Sequence, residues 1–214
     1  MEDAVTLRDD SKVILRPLAP DDRERIRRAF DGLSPDSRYR RFFVSLHELS
    51  DGLLDVLTDV DHDDHEALVG VEPTSGDIVG VARYVRMPEQ PERAEASVAV
   101  VDDWQGRGLG RALLERLVDR AREMGVSRFV AFIQADNHRA VELMSHLGPT
   151  SSSSQGGLLE LDIELPKQGI GAPLATALRA AAGTLLEVQP LAERIWRRAR
   201  EMPGAARLRR PGGL

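Results

Sequence analysis

The stretch from Val98 to Arg111, VAVVDDWQGRGLGR, constrains this chain more than any other. Four apolar residues lead into Asp102-Asp103 and then into a loop with glycine at 106, 108 and 110, which runs directly into a helical pattern. A buried strand that ends in such a loop at a helix N-terminus offers bare backbone N–H groups and the positive end of a helix dipole, a combination that holds phosphate. The glycines permit positive φ and close approach of a ligand to the main chain. Gln105 to Gly110 fits Q-x-x-G-x-G. No G-K-[ST] follows, which excludes a Walker loop. Arg111 stands where the last glycine of a dinucleotide-binding G-x-G-x-x-G would fall, which excludes that motif too.

The elements around the loop set the fold class. Lys12 to Leu18 reads as a first strand ended by Pro17, and Asp21 and Asp22 open a helix with Ile26 and Phe30 on one face and Gly32 as its stop. Ser34-Pro35-Asp36 opens a second helix, and Leu53, Leu54 and Leu57 stripe a third. ALVGVE and IVGVARYV alternate as strands of a hairpin, and the loop RMPEQPER precedes a strand from Ala94 to Val101. The helix after the glycine loop carries Leu109, Leu113, Leu117, Ala121 and Met124 on one face, with Arg111–Glu115 and Asp119–Arg122 able to pair on the other. Arg128 to Gln134 is apolar enough for a strand covered on both faces. Asn137 caps a helix with Val141, Met144 and Leu147 inward, ended by Gly148-Pro149. The last two strands flank TSSSSQGG, its serines read as turn or edge filler, with LLELDIEL the final strand. The order predicts one α/β domain over residues 1–166, a mixed sheet flanked by helices.

Composition narrows the function. The chain lacks cysteine, which excludes disulfides, thiol catalysis and thiolate metal sites and fits a reducing compartment. The acidic start MEDAVTLRDD is no secretory signal, and no apolar run approaches the roughly 20 residues of a membrane span, so the expected location is the cytoplasm. The net charge of −6 is uneven: residues 167–214 hold nine Arg or Lys against three Glu, leaving −12 on residues 1–166. ATALRAAAGTLLEV and AERIWRRAREM in that basic extension read as helices. Its Arg194, Arg197, Arg198 and Arg200 do not interleave with aromatics, so nucleic acid is not an expected partner, and self-packing or solvation is the simpler reading. A homodimer is compatible with the sequence.

Two clusters have a bland and a sharp reading. His62 and His65 in DVDHDDH suggest a metal, but the spacing suits one helix face poorly and no third ligand is identifiable, so a polar turn is the reading adopted and no metal is expected. A position for either histidine at the mouth of a site is the intermediate reading. Arg27, Arg28, Arg40 and Arg41 are solvated helix surface or the rim of a substrate site.

The order strand, loop, helix, strand, Asn-capped helix from Glu95 to Gly148 resembles the acetyl-CoA-binding heart of the GNAT acetyltransferase superfamily, whose loop reads Q/R-x-x-G-x-G/A; the resemblance extends over roughly residues 5–165. ILRPLAPDD, LSPDSRYRRFF and DVDHDDH followed by a strand look like the catalytic domains of bacterial GNAT protein-lysine acetyltransferases. The resemblance implies a splayed mixed sheet, with the pantetheine arm of acetyl-CoA lying where the strand before the loop parts from the next. It assigns Gln105, Gly106, Arg107, Gly108, Leu109, Gly110 and the helix start at Arg111 to the diphosphate. Backbone groups of Val98 and Val100, with Ala99 between them, would follow the arm, and Asn137 would lie near the coenzyme. The family's general base, a glutamate before the loop, falls on Glu95. Elementary geometry agrees: Glu95 lies about 13 Å along the strand from Ala99, and attack by an amine needs a base to free it from its ammonium form. A backbone N–H of the same strand would hold the developing oxyanion. Many superfamily members place a tyrosine acid where Met144 stands, a departure shared with the protein-lysine group; neighbouring Ser145 or His146 replaces it only if oriented inward.

The function expected is therefore transfer of the acetyl group of acetyl-CoA directly to an amine, with a protein lysine as acceptor and no metal. A small amine such as a polyamine, amino sugar or antibiotic is the first alternative, favoured by the acidic body's field. A coenzyme-binding interaction module without turnover is the second.

Overall fold

A computed structural model describes residues 3–167, so the basic extension lies, but for Lys167, outside the described residues. Eight strands form one sheet in the order β1-β2-β3-β4-β5-β6-β8-β7. In chain order these are β1 (Asp3–Thr6), β2 (Lys12–Pro17), β3 (His65–Val71), β4 (Ile78–Met87), β5 (Gln90–Val100), β6 (Arg128–Gln134), β7 (Thr150–Gln155) and β8 (Leu158–Glu164). Helices α1 (Arg23–Asp31), α2 (Pro35–Phe42) and α3 (Asp51–Thr58) lie between β2 and β3; α4 (Leu109–Glu123) and α5 (His138–Ser145) flank β6. Every neighbouring pair is antiparallel except β5 and β6. Among the described residues no helix is long and apolar enough to cross a membrane.

Alternation along the strands divides the core into two layers. On β4, Ala82 and Tyr84 join Leu109, Leu113, Leu114, Leu117 and Val118 of α4 on one face of the sheet. On the other face, Ala67 and Val69 of β3 pack with Ile26 and Phe30 of α1 and Leu53, Leu54 and Leu57 of α3. The apolar face of α4 is wider than the stripe expected from sequence: Leu114 and Val118 are fully buried and Met124 is not. α4 lies close on the sheet because two strand residues beneath it have no side chain. A Cβ on Gly80 would meet Leu113 at 2.9 Å and Leu109 at 3.0 Å, and one on Gly70 would meet Leu109 at 3.0 Å.

The parallel pair that α4 connects is short. β5 and β6 are in register only at Arg93–Arg128, Ala94–Phe129 and Glu95–Val130. Beyond Glu95 the strands part, while β6 remains paired along its other edge with β8 from Arg128 to Gln134.

Three sequence expectations change. β1 is an additional edge strand; its short, half-exposed DAVT carries almost no periodic signal. The expected loop RMPEQPER is mostly strand, because β4 runs to Met87 and β5 begins at Gln90. TSSSSQ is strand β7 itself, and the turn is only Gly156-Gly157. Serine has weak strand propensity, so β7 is held by backbone pairing to β8 from Thr150–Ile163 to Gln155–Leu158 rather than by side-chain packing.

The entry to α1 rests on one buried charge. Asp22 is fully buried and takes Arg16 at 2.6 and 2.8 Å, Arg25 at 2.9 Å and the Ala19 N–H at 2.9 Å. Burial acts to raise its pKa, but the Arg16, Ala19 and Arg25 hydrogen bonds outweigh that and hold the carboxyl down at about 2. The native state therefore binds this proton less readily than the unfolded chain, so its contribution is complete above the usual carboxylate range. It is lost as pH falls from about 4 to 2. Asp22→Ala leaves Arg16 without its carboxylate and should lower stability at pH 7 by about 3 kcal/mol in urea unfolding, with a smaller effect at pH 3.

Candidate functional site

The parting of β5 from β6 opens a cleft of about 950 Å³, at the upper end of the roughly 300–1,000 Å³ usual for small-molecule sites. Glu95 to Val100 form one wall and Ala131 to Ile133 the other. The glycine loop closes one end, α2 covers the sheet face that carries Glu95, and Asn137 to Leu143 border the far side.

The wall of β5 has a defined polarity. Val101 N–H donates to Val79 O at 2.9 Å, and Gly80–Val100 and Ala82–Val98 are opposite pairs in the ladder. By alternation, the N–H and C=O of Val98 and the N–H of Val100 point away from β4 and into the cleft, the Val100 C=O on that edge accepts from Gln105 Nε2, and the main-chain groups of Ala99 are used by β4. Ala99 therefore reaches the cleft only by its side chain. The Val98 and Val100 side chains pack beneath the first turn of α4, where a Cβ on Gly110 would meet Leu143 at 3.2 Å and Val100 at 3.6 Å.

The loop is braced from outside and bare toward the cleft. Gln105 Nε2 donates to Val100 O at 3.1 Å and Asp102 Oδ1 at 3.0 Å, and Asp102 Oδ2 accepts from Ser34 N–H at 3.2 Å. Gly108 precedes α4 at φ 96 and no side chain caps the helix, so the first N–H groups of α4 have no intrahelical acceptor. Arg107 is turned aside: it pairs with Asp9 at 3.1 Å, donates to Asp103 O at 2.6 Å and lies over the Trp104 ring at 4.8 Å. Arg111 is paired with Glu115 at 2.8 Å. The guanidinium beside the loop glycines is that of Arg8, whose backbone N–H donates to Arg107 O at 3.0 Å and whose side chain lies 3.4 Å from a Cβ built on Gly108. Sequence reading missed Arg8 because the turn after β1 lies about a hundred residues from the loop; the only signal is a cation in an otherwise acidic RDD turn.

Glu95 is 7% exposed and lines the cleft beside Arg41, with which it interacts electrostatically. Asn137 borders the cleft while its Oδ1 accepts from Ala140 N–H at 3.3 Å, capping α5. Met144 is buried at the cleft wall, and His146 Nδ1 donates to Glu142 O at 2.7 Å. Of the four arginines weighed as a rim, Arg40 and Arg41 line the cleft. Arg27 and Arg28 are surface residues paired with Asp51 at 2.9 Å and Asp77 at 2.8 Å.

His62 and His65 do not reach the cleft. His62 Nδ1 bonds buried Glu66 at 2.7 Å, and Glu66 also pairs with Arg120 at 3.1 Å. His65 Nδ1 donates to Asp59 O at 3.1 Å, which leaves Nε2 to accept from Arg83 Nη1 at 3.4 Å. Burial, followed by the Arg83 charge, lowers the His65 pKa to about 4. Among the described residues no group of three or more His, Asp or Glu side chains is placed to hold a metal ion.

Residues 27–148 match the model of the acetyltransferase (GNAT) family. An acetyltransferase of Pseudomonas aeruginosa is 36% identical over 145 residues, covering 67% of this chain and 77% of that protein. Acetyltransferase Pat of Mycolicibacterium smegmatis is 34% identical over 152 residues; the match covers 71% of this chain but only 45% of Pat. The crystal structure of the GNAT domain of S. lividans PAT superposes with a TM-score of 0.71 at 30% identity, covering 77% of this chain and 97% of that one.

The neutral His65 has a pH signature. The unfolded chain takes up this proton near pH 6.5 and the native state only near 4, so stability should fall as pH drops across that interval. In urea unfolding between pH 7 and 4.5, His65→Gln should show a shallower loss than the wild type; equal slopes would remove His65 from the linkage.

Proposed function

The chain belongs to the GNAT acetyltransferase family and is an acetyl-CoA-dependent N-acetyltransferase, and we propose that its acceptor is a protein lysine and its general base Glu95. The observation that carries this reading is the place of Glu95: a buried carboxylate on the last residue of β5 still paired with β6, in the same cleft as the glycine loop. The similarity to Pat and to the S. lividans PAT domain supports the protein acceptor.

Acetyl-CoA supplies the activated acetyl group, and the residues of the cleft fit its parts. The amides of Gly106 to Gly110 and the open end of α4 suit a diphosphate. Arg8 adds a guanidinium there in place of the engaged Arg107. The cleft-facing N–H and C=O of Val98 and the N–H of Val100 suit the amides of the arm, extending the sheet as a strand would. An arm laid along β5 from the loop brings its thioester toward Glu95. The carboxylate there accepts the proton of the incoming ammonium, directly or through one water, and so generates the nucleophilic amine. Met144 offers no acid for the departing thiolate.

Glu95→Gln should keep its affinity for acetyl-CoA while kcat with a lysine-bearing protein falls about 100-fold or more, the usual contribution of a positioned base; an undiminished kcat would remove Glu95 from the mechanism. Arg8→Gln should weaken acetyl-CoA binding about tenfold by calorimetry, the worth of one charge-assisted hydrogen bond, with kcat at saturation unchanged. Unaltered binding would place Arg8 outside the phosphate site.

A further inference from the structure

The sheet face that carries Glu95 holds an unusual concentration of positive charge. Arg83 is 5% exposed, yet its hydrogen-bond partners are neutral: Nη2 donates to Leu57 O at 3.1 Å and Nη1 to His65 Nε2 at 3.4 Å. A second guanidinium, Arg41, is near enough to disfavour its charge. Burial and Arg41 together push the Arg83 pKa down to about 9, which still leaves it cationic at neutral pH. Among the described residues, neither arginine is in a salt bridge. Glu95 favours the charge on Arg41, but one carboxylate against two guanidiniums leaves this face with a surplus cation.

Two further observations concern the same two arginines, of which Arg41 also lines the main cleft with Glu95 and Ser97. Ser97 lies opposite Arg83 in the β4–β5 ladder, and its Oγ is buried without a hydrogen-bond partner. A buried hydroxyl left unsatisfied is costly, because its hydration is lost with nothing in return. A cavity of about 60 Å³ adjoins both arginines, walled by Phe30, Leu57, Val81 and Ala99. Its apolar lining lowers the local dielectric and strengthens any ion pair formed there. A buried cation, a half-buried one beside it, an idle hydroxyl and a small cavity together call for an anion.

We infer that Arg41, Arg83 and Ser97 form an anion subsite beside Glu95 that takes a carboxylate of the acceptor. The inference rests on Glu95 as the base and specifies the acceptor further. Ser97 follows Glu95 on the same face of β5, about 7 Å along the strand, so the carboxylate lies several bonds from the amine. An acidic side chain next to an acceptor lysine meets that requirement, and so does the far carboxylate of a small ω-amino acid. A polyamine would bring further positive charge to two guanidiniums and is disfavoured, although the acidic body as a whole attracts it. The body's field acts on encounter; the subsite acts on the docked acceptor.

The test uses the full chain and two matched pairs of acceptors. One pair is a lysine peptide with glutamate beside the lysine and its glutamine counterpart; the other is 6-aminohexanoate and 6-aminohexanamide. Each is measured as kcat/KM with acetyl-CoA and as Kd for the protein–CoA complex by calorimetry. The carboxylate member of at least one pair should be favoured about tenfold by both readouts, and the pair that shows it identifies a protein or a small-molecule source. Arg41→Gln, at a half-buried position that tolerates change better than Arg83, should bring that ratio below about twofold. Ratios near one in the wild type, a ratio that survives Arg41→Gln, or no binding by any of the four compounds would overturn the subsite. Absence of turnover with a preserved calorimetric ratio would instead overturn Glu95 catalysis and leave the subsite standing.

Discussion

Everything functional in this molecule depends on a strand that loses its neighbour. A residue inside a sheet normally has its N–H and C=O satisfied by the strands on either side. β5 meets that condition on its β4 edge as far as Val100, but on its β6 edge only as far as Glu95. The N–H and C=O of Val98 and the N–H of Val100 are thereby left facing a cleft, in an extended conformation already fixed by β4. A ligand with amides along its length can complete the ladder without any reorganisation of the protein.

What keeps the gap open, and puts the glycine loop at its end, is the seating of α4. Gly70 and Gly80 let Leu109 and Leu113 sit directly on the sheet, and a methyl group at Gly80 would press on both leucines. The helix is thus fixed close above β3 and β4, with its uncapped N-terminus next to the end of β5. Braces from Gln105 and Asp102 and the Arg107–Asp9 pair then hold the loop from behind, which leaves its amides toward the cleft. The same construction determines the charges around the reacting centre. The loop side is furnished with N–H groups and Arg8, and the opposite sheet face carries Glu95 with Arg41 and Arg83. The two halves of the site thus suit two different anions, the coenzyme's phosphates on one side and, on the proposal above, an acceptor carboxylate on the other.

Much of this was legible in the sequence because the signals were local. The strand–loop–helix order, the Asn137 cap, the leucine face of α4 and the hairpin of β3 and β4 each announce themselves within about fifteen residues. The misreadings have physical causes of the same kind. β7 is a serine run stabilised by backbone pairing alone, which leaves no periodicity to read, and β1 is too short and exposed to show any. In the site, the glycine loop and Glu95 are singled out by spacing and resemblance. Arg8 and Arg83 are not, because what sets each apart is a neighbour far along the chain: Gly108 for the first, Arg41 and Ser97 for the second. His62 and His65, conspicuous as letters, are occupied by Glu66, Asp59 and Arg83 and belong to the scaffold.

The parting of β5 from β6 can be tested at the level of single amides. Hydrogen exchange by NMR, with and without acetyl-CoA, distinguishes groups already paired in the sheet from groups waiting for a partner. The Ala99 amide, bonded to β4, should be protected in both states, whereas the Val98 and Val100 amides should exchange fast in the free protein and slow by at least tenfold when acetyl-CoA is added. Unchanged exchange at Val98 and Val100 on saturation with acetyl-CoA would contradict this account of the cleft.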